Sequence, residues 1–481
     1  MTDQTIIETL GAFTAGTTAD SLPPEVVEEV KRLLLDTIGC ALAAQDDDKT
    51  RIGNHMGRVM GGTAAEAVML GTGARSSVMG AAFANAEAMN ALDMDAVLPP
   101  GHVSPYVIPA ALALAEHQRG SGSELLVALA VAHEMSWRIG KSMDYLRDVR
   151  NGRVEPPKVF GYSSTLFGAA AAAMRVRGLA APVIGHGLGI AAYCMPVAPQ
   201  MAWVMHAPSS TVKYGPTGPL VQQALNAMLY AEGGHRGDLQ VLDDREYGFA
   251  AMIGTTRWEP ATILDGLGTA WRFPAQSTIK PYPYCRVLHN AFDIMGKLQA
   301  DHDLNPDEID SIKVLGEGML ERPIWENETI ERTVDAQFSL KHGIALAAQR
   351  VPPGKDWQAP SLVYSDKVLG LMSRVSHETH PEAASAMLNH PSSRPTRVEI
   401  HARGQVFTGE KMFPKGSPSP DPDSAMSTSD LIAKFRRNGQ TVLTPDALDD
   451  AVAAIMALES QTDMGRVMAI FVEGQQARAA A

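Results

Sequence analysis

Before Thr262 the chain is a succession of apolar residues spaced three and four apart, many of them alanine, and this pattern leaves few options other than packed helices. The clearest segment, SLPPEVVEEVKRLLLDTIGCALAA from Ser21, places prolines ahead of its first turn and acids within it. Val26, Val27, Val30, Leu33, Leu34 and Ile38 then recur at helical spacing. The same period predicts helices over 107–117, 123–139, 165–176 and 220–231. Alanine favours helix and allows neighbouring axes to approach closely, so such a series predicts an all-α unit with short connections.

After Thr262 proline, aromatic and β-branched residues become denser. IDSIKVLG at Ile309 and TRVEIHA at Thr396 alternate as strands do, with helical segments at 339–349 and 384–388 between them. KGSPSPDPDS, from Lys415, reads as a linker, and helical spacing returns over 428–437 and 445–458. A length of 481 residues also favours two domains over one. The expected fold is mainly α with a smaller α+β domain of a few antiparallel strands. Its expected boundaries are a helical domain at 1–265, an inserted α+β domain at 266–415, and a return to the helical domain at 416–481. The terminal QQARAAA is expected to fray.

A net charge of −13 without any basic tract argues against general nucleic-acid binding, which draws on clustered Lys and Arg. The three cysteines, Cys40, Cys194 and Cys285, are far apart and form no CxxC pair, so neither a disulfide framework nor a zinc ribbon is expected. The opening MTDQTIIETLGAFTAG lacks a basic segment followed by an apolar one, and no apolar run reaches the roughly 20 residues that span a bilayer. A cytoplasmic protein with no membrane partner is expected. No GxGxxG opens a βαβ unit and no Walker motif is present, so a nucleotide cofactor is not implied.

Three stretches carry candidate chemistry. ANAEAMNALDMDAVLPPGHVSPYVIPAALALAE, from Ala84, sets Asn90, Asp93, Asp95 and His102 at a helix end and on a proline-rigid loop. These acids serve equally well as helix caps, and one His without ligand spacing argues against a metal. IKPYPYCRVLHNAFDIM, from Ile279, displays Lys280 from an extended segment and puts Arg286 and His289 on one helix face, near Tyr282 and Cys285. An Arg fork and a Lys point charge suit a carboxylate ligand; surface charge plus a core histidine is the alternative, and Cys285 as a nucleophile would require a nearby base. In SSTVKYGPTGP, Lys213 stands before a turn that opens a helix, where it would add to a positive field, although an exposed Lys beside a packed Tyr214 fits as well.

Taken together, LLLDTIGCALAA, LDMDA followed by GHVSPYVIPAALALAE, GYSSTLFG, KPYPYCRVLH, DAQFSLKHGIA and SDLIAKFRR resemble, in order and spacing, the MmgE/PrpD family across nearly the whole chain. The resemblance implies a helical domain made from both chain ends, an inserted lid domain, a cleft between them, a homodimer, and no metal or organic cofactor. It implies a small polycarboxylate as substrate and a carbanion next to a carboxylate as the shared difficulty. Family catalytic positions fall on Asp93, His102, Lys213 and Lys280; a family histidine falls on Tyr162, another on Cys285, a third on Asn90, and a family hydroxyl on Val97. His102 is the expected acid/base, oriented by Asp93, with Tyr162 as a second proton carrier. Lys213, Lys280 and Arg286 are the expected oxyanion partners, and Tyr282, Cys285, His289 and Asn90 complete the expected substrate site. The expected activity is hydration or dehydration of a di- or tricarboxylic acid by a lyase, with a dicarboxylate epimerase and a non-catalytic carboxylate-binding paralogue as alternatives.

Overall fold

Capping residues set where the first helices begin. In the computed structural model, which describes residues 4–144, 147–159 and 161–476, the Pro24–Ala43 helix starts on its prolines. Ser77 and Ser121 accept backbone N–H groups at the starts of Val78–Asn90 and Gly122–Ser142. The helices predicted from periodicity form as Ser104–His117, Gly122–Ser142, Thr165–Val176 and Thr217–Glu232. Val78–Asn90 was not predicted from periodicity; it is buried nearly all round, so it shows no amphipathic stripe.

Buried apolar side chains form two large clusters. One gathers residues from Ile6 to Ile279 and takes in Leu431, Phe435, Leu448, Ile455 and Phe471 from the end of the chain. The Thr428–Gly439 helix lies so close to Pro24–Ala43 that a β-carbon on Gly39 would come within 3.1 Å of the Phe435 ring. The other cluster gathers residues from Tyr284 to Ala402, joined by Tyr162, Trp203 and Tyr214. Its centre is a four-stranded sheet in the order Gln405–Lys411, Thr396–Ala402, Ile309–Gly316, Val375–Thr379. The His289–His302 helix packs across the first two of these strands.

Alternation places Thr396, Val398, Ile400 and Ala402 inward, as period two requires. One expectation fails here: Val375–Thr379 pairs parallel, not antiparallel, to Ile309–Gly316. The connection between them carries the Leu340–Ala347 and Asp366–Met372 helices, the long crossover that parallel pairing needs. The segment from Lys415 is also no loose linker. Ile279 donates to the Gly416 carbonyl (3.1 Å), and a side chain at Gly416, whose φ is +84°, would strike the Ile279 carbonyl oxygen. From Ala477 onward the terminal stretch lies outside the described residues. Among the described residues no helix is long and apolar enough to cross a membrane.

Candidate active site

The site begins where the Val78–Asn90 helix ends. Lys213 Nζ donates to the carbonyls of Asn90 (2.8 Å) and Ala91 (2.6 Å), satisfying acceptors that a helix end leaves open. Asp93 then adopts a left-handed φ of +52° and turns the chain. Behind the turn, Lys434 binds the Met94 carbonyl (2.9 Å) and Asp36 (2.5 Å), and Asp36 accepts from Ala96 N–H (3.1 Å). Val97 pairs with His102 across a two-proline hairpin and bonds Thr278 in both directions at 2.9 and 2.8 Å. That bridge brings Lys280, two residues on, beside Asp93.

His102 sits among buried acids. Its Nδ1 lies 2.6 Å from Asp95 Oδ2, and its Nε2 lies 3.4 Å from Asp93 Oδ1. A carboxylate accepts and has no proton to give, so Nδ1–H faces Asp95 and Nε2 is left for chemistry. The ring stacks on Tyr214 at 4.5 Å and meets Tyr162 edge to face at 6.0 Å. Asp93 accepts from Tyr214 Oη (2.9 Å) and Lys280 Nζ (2.7 Å). Burial pushes the Asp93 carboxyl up, but Lys280, His102 and Lys213 outweigh it and hold the group below the usual carboxylate range. Burial keeps the Tyr162 phenol well above its ordinary value, so it stays protonated. Gly101 makes room for it: a β-carbon there would lie 1.8 Å from Tyr162 Cε1.

Asp93, Val97, His102, Tyr162, Lys280, Cys285, Arg286, Arg147 and Arg394 line one cavity of about 90 Å³. Burial, followed by the charge of Arg394, brings Arg286 down to about 9, and burial brings Arg147 down to about 10. Arg147 Nε binds Glu317 at 2.8 Å, and Arg394 binds the other oxygen of the same carboxylate. Among the described residues no group of three or more His, Cys, Asp or Glu side chains is placed to hold a metal ion.

The structure therefore brings His102, Asp93, Tyr162, Lys280, Arg286 and Cys285 to one cavity. Four other predicted residues stand elsewhere. Tyr282 donates to Asp293 (2.9 Å) and lines a separate depression beside Trp357. His289 accepts from Arg286 at Nδ1 (2.9 Å) and faces the Tyr284 carbonyl through Nε2 (3.0 Å); burial and Arg286 hold its pKa far below the ordinary histidine value. It is a neutral support for Arg286. Asn90 lies under the imidazole, donating to Asp95 (3.1 Å) and Tyr214 (2.7 Å). Lys213 is buried behind the loop and not exposed; burial, partly offset by Asp93, lowers it to about 7. Its ammonium faces the carbonyl end of one helix and does not add to the field at the start of another, as its place in the sequence suggested. Of the two acids beside His102, Asp95 holds the nearer nitrogen, at 2.6 Å against 3.4 Å for Asp93, which was expected to orient the ring. The Cys285 thiol is pushed up by burial, which disfavours the thiolate a nucleophile requires. Arg147, Arg394, Tyr214 and Glu317 were not singled out as site residues, and only the K-Y pair at Tyr214 offered any local signal.

The N-terminal domain model of the MmgE/PrpD family matches residues 8–261, and the C-terminal domain model matches residues 282–459. A cis-aconitate decarboxylase-like protein of Aspergillus oryzae is 24% identical over 482 residues, covering 93% of each chain. The cis-aconitate decarboxylase of Homo sapiens is 26% identical over 487 residues, 96% of this chain and 93% of the other. That of Aspergillus terreus is 28% identical over 294 residues, 58% of this chain and 57% of its own. With both family models matched along one chain, the protein belongs to the MmgE/PrpD family.

Proposed function

We propose that the protein is a cytoplasmic lyase that adds or removes water at a small di- or tricarboxylic acid, by forming or quenching a carbanion next to a carboxylate. The observation that carries this reading is the meeting of an Asp95-held imidazole and a group of buried cations in one cavity. At about 90 Å³ the cavity is small, which fits a small acid better than a nucleotide. His102 Nε2 takes the proton from carbon, and Lys280 faces the charge that develops on the adjacent carboxylate. Tyr162, kept protonated, supplies the proton that leaves with the hydroxyl. The relatives are named for the decarboxylation of cis-aconitate, itself a small tricarboxylate, which supports a substrate of this class.

Incubation with 2-hydroxy and unsaturated di- and tricarboxylic acids in deuterated water, followed by NMR, tests this. Alkene appearing from, or consumed to, a hydroxy acid supports it. Release of CO2 without hydration replaces it with decarboxylation, and the absence of any solvent exchange removes the chemistry altogether. A second reading, epimerisation, is favoured by the edge-to-face meeting of His102 and Tyr162, two proton carriers in one cavity, beside Val97, which has no hydroxyl. Deuteration at carbon with inversion and without alkene selects it.

A further inference from the structure

The three arginines of the cavity wall differ in what they have left to give. A guanidinium has five N–H groups. Arg286 spends both Nη1 hydrogens, on His289 Nδ1 (2.9 Å) and the Lys415 carbonyl (2.8 Å), and both Nη2 hydrogens, on the Pro414 carbonyl (3.2 Å) and Ser417 Oγ (2.5 Å). Arg147 spends three, on Glu317, the Pro391 carbonyl (3.1 Å) and the Ser393 carbonyl (2.9 Å). Arg394 gives one, to Glu317, and no other among the described residues.

Charge points the same way. Glu317 is the carboxylate that Arg147 and Arg394 share, and its buried oxygens are both taken; burial raises it, but the two arginines hold it below the usual range. The other nearby carboxylate, Asp293, is engaged by Lys411 at 2.6 Å. Three guanidiniums less one carboxylate leave two uncompensated positive charges in a wall that is nearly dry, the side chains of Arg147 and Arg394 being 9% and 12% exposed. A buried surplus of this kind, with unspent donors in a planar fork, is complementary to an anion.

We infer that Arg394 receives the substrate carboxylate remote from the reacting carbon, while Arg147 and Arg286 stand as fixed cationic backing. This rests on the polycarboxylate reading above. Glu317 anchors one Nη of Arg394 and leaves the remaining N–H groups for the ligand. The residue that selects an acid with a second carboxylate is then Arg394 and not Arg286, which the chain order around Lys280 makes the more obvious choice.

Calorimetric titration with propane-1,2,3-tricarboxylate, which lacks a leaving hydroxyl, reads binding apart from turnover. The wild-type protein and the His102→Gln variant bind it. Arg394→Gln weakens binding on the order of 10²-fold, and Arg394→Lys, which keeps the charge but loses the fork, weakens it about tenfold. Should Arg394→Gln fail to fold, Arg394→Lys decides. Binding by both Arg394 variants within threefold of wild type overturns the assignment while leaving the proposed function intact. A wild-type protein that binds no tricarboxylate overturns both.

Discussion

Two groups of side chains lining the cavity handle polarity in opposite ways. Around His102, Nδ1 of the ring, the carboxylates of Asp93 and Asp95, and the Tyr214 hydroxyl are held by one another, by Asn90 and by Lys280. Arg394, by contrast, is anchored at one edge by Glu317 and uncommitted at the other, beside Arg147 and Arg286, whose donors are mostly spent. The first arrangement suits the movement of protons between fixed positions, since nothing has to reorganise before the step. The second suits capture, since donors without partners gain most from an arriving anion. The difference teaches that a buried charge near a cavity indicates a role only after its bonds are counted.

The sharpest way to break the comparison is at His102. His102→Gln keeps the volume but cannot titrate, and turnover is expected to fall by up to about 10⁴-fold with the thermal midpoint little changed. Turnover near the wild-type value would move the chemistry to another residue. Next in size is Lys280→Met, which takes the nearest cation from the buried Asp93 carboxylate, at a cost of about 3–5 kcal/mol. The sign with pH follows from Asp93 being lowered. Its stabilising contribution is present above its unfolded pKa and is lost as acid takes the pH down through the folded value. Denaturant melts of Lys280→Met and of Asp93→Asn/Lys280→Met read this, with the double variant expected to be the more stable; the reverse order would mean that the pair is not coupled.

A smaller change sharpens the same comparison from the side of Tyr162. Gly101→Ala places a methyl where the ring now lies, and displacement of a proton carrier by about an ångström can cost about 10²-fold in turnover. Unchanged turnover in this variant, with the phenol displaced, would remove Tyr162 from the reaction. Tricarboxylate binding, assigned to Arg394, is expected to hold.

What could be read from the chain alone follows the range of the interactions. Ile309–Gly316 and Thr396–Ala402 were legible residue for residue because inner strands alternate in burial. The neighbouring Gln405–Lys411 is an edge strand with no buried residue, so its sequence carries no such signal. The cluster around His102 was legible because a helix end and a proline hairpin concentrate it within a few residues. Arg147 and Arg394 were not, because each is an ordinary arginine until Glu317, distant from both in sequence, draws them together. Tyr282 and His289 show the limit of local spacing, which says that side chains share a face but not whether that face meets the cavity.

Lys213 carries the last test, and the subtlest. It stands behind the His102 wall, clasping the two carbonyls that end the Val78–Asn90 helix, and holds its proton only up to about pH 7, against an ordinary value of 10.5. Between those values the unfolded chain carries a proton that the folded chain lacks, so stability rises with pH, by up to about 1.4 kcal/mol per unit; below pH 7 both states are protonated and the dependence vanishes. From pH 7 to about 8.5 other shifted groups, the lowered Arg286 and Lys141 among them, add to the wild-type slope, and the difference from a Lys213 variant isolates this contribution. Glu29, raised to about 7, and His133 and His342, lowered to about 4, act at lower pH, and the raised thiols of Cys40, Cys194 and Cys285 act above it. Denaturant melts of wild type and Lys213→Met across this window should show a rising stability in the first and a flatter profile in the second. Parallel profiles would mean that Lys213 keeps its charge throughout, and that a cation stands behind His102 at every pH of the window.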